Sequence, residues 1–149
     1  LAMGDLVATR VDAIANAAFC FGLTHALATD ATPPESRITF QQARDNFYTA
    51  AKEGLRAEVT WLDKQYIPHH ELIWERLSPM AEQGLLRLGL DQEDVGRYMD
   101  IIEARLRTGR NGADWQRRFV DKHGADMQVL AQAMRDQQRA ETPVHEWKI

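Results

Sequence analysis

LVATRVDAIANAAFCFGLTHALA, from Leu6 to Ala28, is the segment from which the fold is best read. Val7, Val11, Ala15, Ala18, Gly22 and Ala26 recur at helical spacing and make one face, while Ile14, Phe19 and Leu23 make a second. A helix that is apolar on two sides needs cover on both, so this one is expected at the centre of a helical bundle. Its longest apolar stretch, Ala13 to Ala28, is short for a bilayer span and contains Asn16 and His25. It also lacks the basic start and small-residue cleavage site of a signal peptide.

Outward from this helix, Pro33-Pro34 lies in a loop, and Thr39 with Gln42 three residues on forms a capping-box pattern for a second helix. Phe40, Ala43, Phe47, Ala50 and Ala51 give that helix its expected buried stripe, and Gly54 ends it. Ala57 to Leu62 alternates in polarity and predicts one strand of a short hairpin with Tyr66 and Ile67. Pro68 opens a third helix, in which Pro79 predicts a kink. Asp91 caps a fourth, with Val95, Tyr98, Met99, Ile102 and Leu106 inward. After the break at Thr108-Gly109, Asn111 caps a fifth helix, with Asp114 at the capping-box position and Trp115 and Phe119 buried. Gly124 precedes a sixth, with Met127, Leu130, Ala131 and Met134 inward. The tail from Pro143 to Ile149 is non-helical, and Trp147 is expected to pin it to the helices. Partial exposure near a terminus would put that contribution at about 1–2 kcal/mol. The fold class is therefore all-α: a compact bundle of five or six helices with at most one short β-hairpin, in a single domain over residues 1–149.

Composition narrows the functional classes. A net charge of −4 gives no global field for nucleic acid or an anionic membrane, so neither is expected as a partner. The single cysteine, Cys20, rules out an internal disulfide framework and a cysteine-based zinc site, and it suits a reducing, cytoplasmic setting. Flanked by Ala18, Phe19 and Phe21, it reads as a small core residue.

No catalytic constellation is visible. His69 and His70 are adjacent and point about 100° apart on a helix, so they cannot chelate one metal from one face. They read as solvated or capping histidines. The sequence contains no phosphate-binding glycine loop and no nucleophile elbow. The most informative polar stretch is Arg105 to Arg118, RLRTGRNGADWQRR, with five arginines against one acid. Arg107 and Arg110 flank a tight turn leading into a helix N-terminus, where guanidinium groups, free N–H groups and the helix dipole together can hold a phosphate or carboxylate. A solvated basic face, or arginines paired to neighbouring helices, accounts for the same residues.

Four stretches resemble the C-terminal helical region of glutamate–cysteine ligase-like proteins, which are ATP-dependent carboxylate–amine ligases. Asp12 to Phe19, followed by Phe21-Gly22-Leu23, is similar to that family's Asn-Ala-Ala-Phe helix. Asn46 to Leu55 is similar to its Asn-(aromatic)-x-x-Ala-x-(Lys/Arg)-x-Gly-Leu segment, with Lys52 where the family often has arginine. Arg107 to Gln116 resembles its Thr-Gly-x-x-Gly-Ala-x-Trp-Gln turn, and Pro143 to Trp147 its closing Pro-Val-His-x-Trp. The resemblance implies ATP- and magnesium-dependent activation of a carboxylate followed by amine attack, with the catalytic machinery on an N-terminal sheet domain of the same polypeptide. This chain would then be the C-terminal part of a longer protein, inactive alone, with no catalytic or metal-ligating residue and no cofactor of its own. Asn16, Asn46, Lys52, Arg107, Arg110 and Asn111 are the candidate anion- or substrate-contacting residues in the longer protein. The alternative is a free-standing helical interaction or oligomerisation module without catalytic activity. Homo-oligomerisation stays open under both readings.

Overall fold

A computed structural model describes residues 9–62 and 66–149. Helix α1 (Arg10–Ala28) begins at a capping box: Asp12 N–H donates to Thr9 Oγ1 at 3.3 Å, and Thr9 N–H donates to Asp12 Oδ2 at 3.0 Å. The expected start at Leu6, with Val7, lies outside the described residues. Counted from Arg10, the helix is long and apolar enough to cross a membrane by length and composition, contrary to the shorter span read from the sequence. Within the fold it packs against α4 (Ser78–Arg87) and α5 (Gln92–Thr108). Ala15, Phe19, Gly22 and Ala26 are buried and Leu23 packs partly buried against the core, so residues of both apolar faces find cover; Ile14 is exposed, and so is Cys20, which is therefore not a core residue.

Gly22 and Gly84 set the closeness of the α1–α4 crossing. A Cβ on Gly22 would overlap the carbonyl oxygen of Ala81, and one on Gly84 would overlap that of Gly22. The two backbones approach as closely as they do because neither residue has a side chain.

Helix α2 (Phe40–Glu53) has the expected Thr39–Gln42 capping box and stops at Gly54, whose φ of 62° is a left-handed value. Its stripe is not buried: Phe40 is 84% exposed and Phe47 68%. α2 rests on strand β1 (Glu58–Thr60), and among the described residues no second layer covers its apolar side. β1 pairs antiparallel with β2 (Tyr66–Pro68), placing Val59 opposite Ile67.

Beyond the hairpin, α3 (His69–Leu72) runs through a π-helical turn, Ile73–Leu77, into α4, giving one continuous helix. The helix departs from α geometry in this π turn, just before Pro79. Ser78 N–H donates to the Ile73 carbonyl, five residues back, and the widened turn accommodates a ring that cannot donate to the helix ladder. α5 is capped by Asp91 and ends at Gly109 in the left-handed conformation. α6 (Gly112–His123) is capped by Asn111, whose side chain accepts from Asp114 N–H at 2.9 Å. Only half of the expected capping box forms, because the Asp114 carboxylate pairs with Arg118 at 2.8 Å.

α7 (Met127–Arg139) buries only Leu130; Met127 is exposed, contrary to its expected inward position. Counting α3 and α4 as one, the described residues form six helices and one two-stranded hairpin, so the all-α architecture with a single short hairpin is as expected. The main core gathers around Phe19, Leu72, Leu85, Val95 and Ile102. A second, smaller core joins α6, α7 and the tail through Trp115, Phe119, Leu130, Val144 and Trp147.

Candidate functional site

The polar centre of the molecule is a buried ion pair. Asp12 on α1 is fully buried and Arg105 on α5 nearly so, and an Arg105 Nη2 hydrogen bond reaches Asp12 Oδ1 at 2.6 Å. The same nitrogen donates to the Asp12 carbonyl at 3.2 Å, while Nη1 donates to Asn16 Oδ1 at 2.7 Å. The other carboxylate oxygen, Oδ2, accepts from Thr9 N–H at 3.0 Å, the Thr9 hydroxyl at 2.8 Å and Val144 N–H at 3.1 Å. Desolvating two charges is offset only when their remaining hydrogen-bonding capacity is met in this way. One carboxylate therefore ties α1, α5 and the C-terminal tail together.

Beside this pair is a small, partly open cavity of about 70 Å³. Phe19, Leu55, Ile102 and Leu106 contribute apolar wall, and His69, Arg105 and Asn111 supply the polar groups. His69 is held at two points: its backbone N–H donates to the Ala57 carbonyl at 2.7 Å, and ring Nδ1–H donates to the Gly54 carbonyl at 3.0 Å. A carbonyl can only accept, so Nδ1 carries the proton. Burial pushes the His69 pKa below its ordinary 6.5, against the opposing pull of the Gly54 hydrogen bond. The ring is thus neutral at pH 7, and Nε2 is its acceptor.

The candidate residues named from sequence divide into three groups. Asn16 and Asn111 lie at the ion pair and the cavity, Asn16 as an acceptor for Arg105 and Asn111 as both cavity wall and α6 cap. Asn46 is committed to the hairpin, with its amide donating to the Thr60 carbonyl at 2.6 Å and accepting from Thr60 N–H at 2.9 Å. Lys52, Arg107 and Arg110 lie elsewhere. Lys52 is exposed on α2. Arg107 borders a polar cleft with Asp100, Glu103, His145 and Glu146, and Arg110 Nη1 donates weakly to the His145 carbonyl at 3.4 Å. The arginine turn therefore sends Arg105 inward and Arg107 outward.

Asp12, His69 and Arg105 were missed as site residues. Thr9-x-x-Asp12 was legible as a capping box, and an aspartate inside an apolar helix face signals a buried partner. His69, directly after Pro68, carried no comparable signal. Among the described residues no three of His, Cys, Asp and Glu converge as a metal-binding group. Compared with models of known families, with characterised proteins and with solved structures, the chain matches none.

Proposed function

We propose that this chain is the C-terminal helical portion of a glutamate–cysteine ligase-like, ATP-dependent carboxylate–amine ligase of the cytoplasm, supporting an active site carried mainly by an N-terminal domain of the same polypeptide. The observation that carries the reading is where the four resembling stretches lie. Asp12 and Asn16 from the first bond Arg105, two residues before the third. Asp12 also accepts from Val144 in the fourth. Gly54 and Leu55, which close the second, line the cavity beside Arg105 and Asn111. Segments far apart in the chain thus meet at one centre.

A second support is the uncovered aromatic surface of α2, with Phe40, Phe47 and Tyr48 all exposed, which offers a partner domain an apolar face. The reading brings in ATP and magnesium through the resemblance. In this reading both belong to the N-terminal domain, and the residues described here bind and orient without taking part in proton or phosphoryl transfer.

The test is an assay of the polypeptide extended upstream of Leu1, given ATP, magnesium, glutamate and a panel of amines. ADP and amide product are expected from the extended protein and none from residues 1–149. An extended protein that binds no nucleotide would overturn the reading. It would favour the alternative of an interaction or oligomerisation module, to which the same exposed aromatic face is suited.

A further inference from the structure

The cavity beside Arg105 has properties of its own that do not depend on the ligase reading. Its walls are apolar, from Phe19, Leu55, Ile102 and Leu106, so most of any occupant must be apolar. Its volume of about 70 Å³ is about half that of a cavity that takes benzene, roughly 150 Å³, so the part of an occupant held inside it has only a few heavy atoms.

Its polar groups decide the rest. The guanidinium charge of Arg105 is already balanced by Asp12 at 2.6 Å, so the site presents no uncompensated positive charge to an anion. A charged occupant would lose its hydration without gaining an opposite charge. His69 is locked with Nδ1–H on the Gly54 carbonyl, which leaves Nε2 as the acceptor of a residue lining the cavity.

We propose that this cavity is a binding site for a small, neutral, mainly aliphatic group bearing one O–H or N–H donor, with the donor held by His69 Nε2 and the carbon skeleton against Phe19, Leu55 and Ile102. A short alcohol is the simplest member of the class. The occupant is a free small molecule, and the site selects it by shape and by that one hydrogen bond.

Three probes of nearly equal size and shape test this on residues 1–149: 2-propanol, acetone and acetate. Each is titrated while the methyl resonances of Leu55, Ile102 and Leu106 and the ring resonances of His69 are followed by NMR. 2-Propanol is expected to give saturable shifts confined to these residues. Acetone, which lacks the donor, should bind about tenfold more weakly, the size of one net hydrogen bond. Acetate should bind more weakly still. Equal affinity for 2-propanol and acetone would overturn the donor requirement, and acetate binding tightest would overturn neutrality. Absence of saturable binding by any probe, or shifts centred elsewhere, would overturn the site itself. None of these results bears on nucleotide binding by the extended polypeptide, so the two proposals fail separately.

Discussion

Asp12 and Arg105 are 93 residues apart in the sequence, yet their charged groups meet at 2.6 Å in the interior. Each compensates the other's desolvation, and Asp12 Oδ2 also receives Val144 N–H from the tail. Removing one partner leaves an uncompensated buried charge, which costs about 3–5 kcal/mol. Arg105→Met and Asp12→Asn should each lower the unfolding free energy, measured by urea titration, by an amount in that range. A change below about 1 kcal/mol in both variants would mean that the pair is solvated in solution.

The glycine pair at the α1–α4 crossing supports a prediction in which sign matters more than size. Within a helix, Gly→Ala ordinarily stabilises by up to about 1 kcal/mol. Gly96 in α5 has open space where a Cβ would go, so Gly96→Ala should follow that rule. At Gly22 and Gly84 the added methyl would meet backbone carbonyls that cannot rotate away, and the helices must separate. Gly22→Ala and Gly84→Ala should therefore destabilise by about 1–3 kcal/mol, as overpacking does. Thermal melts of the three variants check this, and a stabilising Gly22→Ala would show that the crossing is looser than described.

Trp147 is buried to 2% exposure, with its ring edge-on to Trp115 at 5.1 Å between centroids and its indole N–H donating to the Thr142 carbonyl at 2.7 Å. The partial exposure assumed from its terminal position does not apply. Trp147→Ala should accordingly cost about 3–5 kcal/mol, the range for a fully buried aromatic, rather than 1–2. Equilibrium urea unfolding measures it, and an unchanged midpoint would mean that the tail is not pinned.

What was legible in the sequence was local. The Thr39–Gln42 box, the Asn111 cap and the helix break at Gly109 each depend on residues within one turn, so spacing alone revealed them. Trp147 was legible because a large aromatic near a terminus must find cover. The Asp12–Arg105 pair was not, since Arg105 looks like one more cation in an arginine-rich stretch until the fold brings α1 beside it. Phe40 and Phe47 misled for the complementary reason. Periodicity finds an apolar stripe but cannot say whether the described chain supplies a layer to cover it. Cys20 failed in the same way, being apolar by neighbourhood and exposed by position.

His69 gives the fold a defined dependence on pH. Its pKa in the native protein is held below 6.5 chiefly by burial, and that of His145 is lowered in the same direction, also mainly by burial. As pH falls below 6.5, the unfolded imidazole takes up its proton before the native one does, so protons favour the unfolded state. Stability present above pH 6.5 should be lost as pH falls toward the native values. Between pH 7.5 and 5.5 the urea midpoint should drop. His69→Asn, which keeps a donor near the Gly54 carbonyl but cannot titrate, should drop less. Equal slopes for the two proteins would remove His69 as a cause.

The arginine turn separates a structural role from a binding role. Among the described residues neither Arg107 nor Arg110 pairs with a carboxylate, although Arg107 stands in a cleft with Asp100, Glu103 and Glu146. Arg110 makes only a long bond of 3.4 Å to the His145 carbonyl. Removing either side chain should change stability by no more than about 0.5 kcal/mol, as at other surface positions. The turn itself is fixed by Gly109 at a φ of 63° and by Asn111 capping α6, so the guanidinium groups are carried on a backbone that needs little ordering on binding. A charged hydrogen bond is worth about 1.5–3 kcal/mol, roughly ten- to a hundred-fold in affinity. In the upstream-extended polypeptide, Arg107→Ala or Arg110→Ala should therefore weaken nucleotide or acidic-substrate binding by that factor, with melting temperature nearly unchanged. Arg107 should show the larger loss in binding relative to stability, because Arg110 already spends part of its hydrogen-bonding capacity on the tail. Calorimetric titration beside a thermal melt reads both quantities. Lower melting temperatures with binding intact would make these arginines parts of the fold and remove them from any binding site.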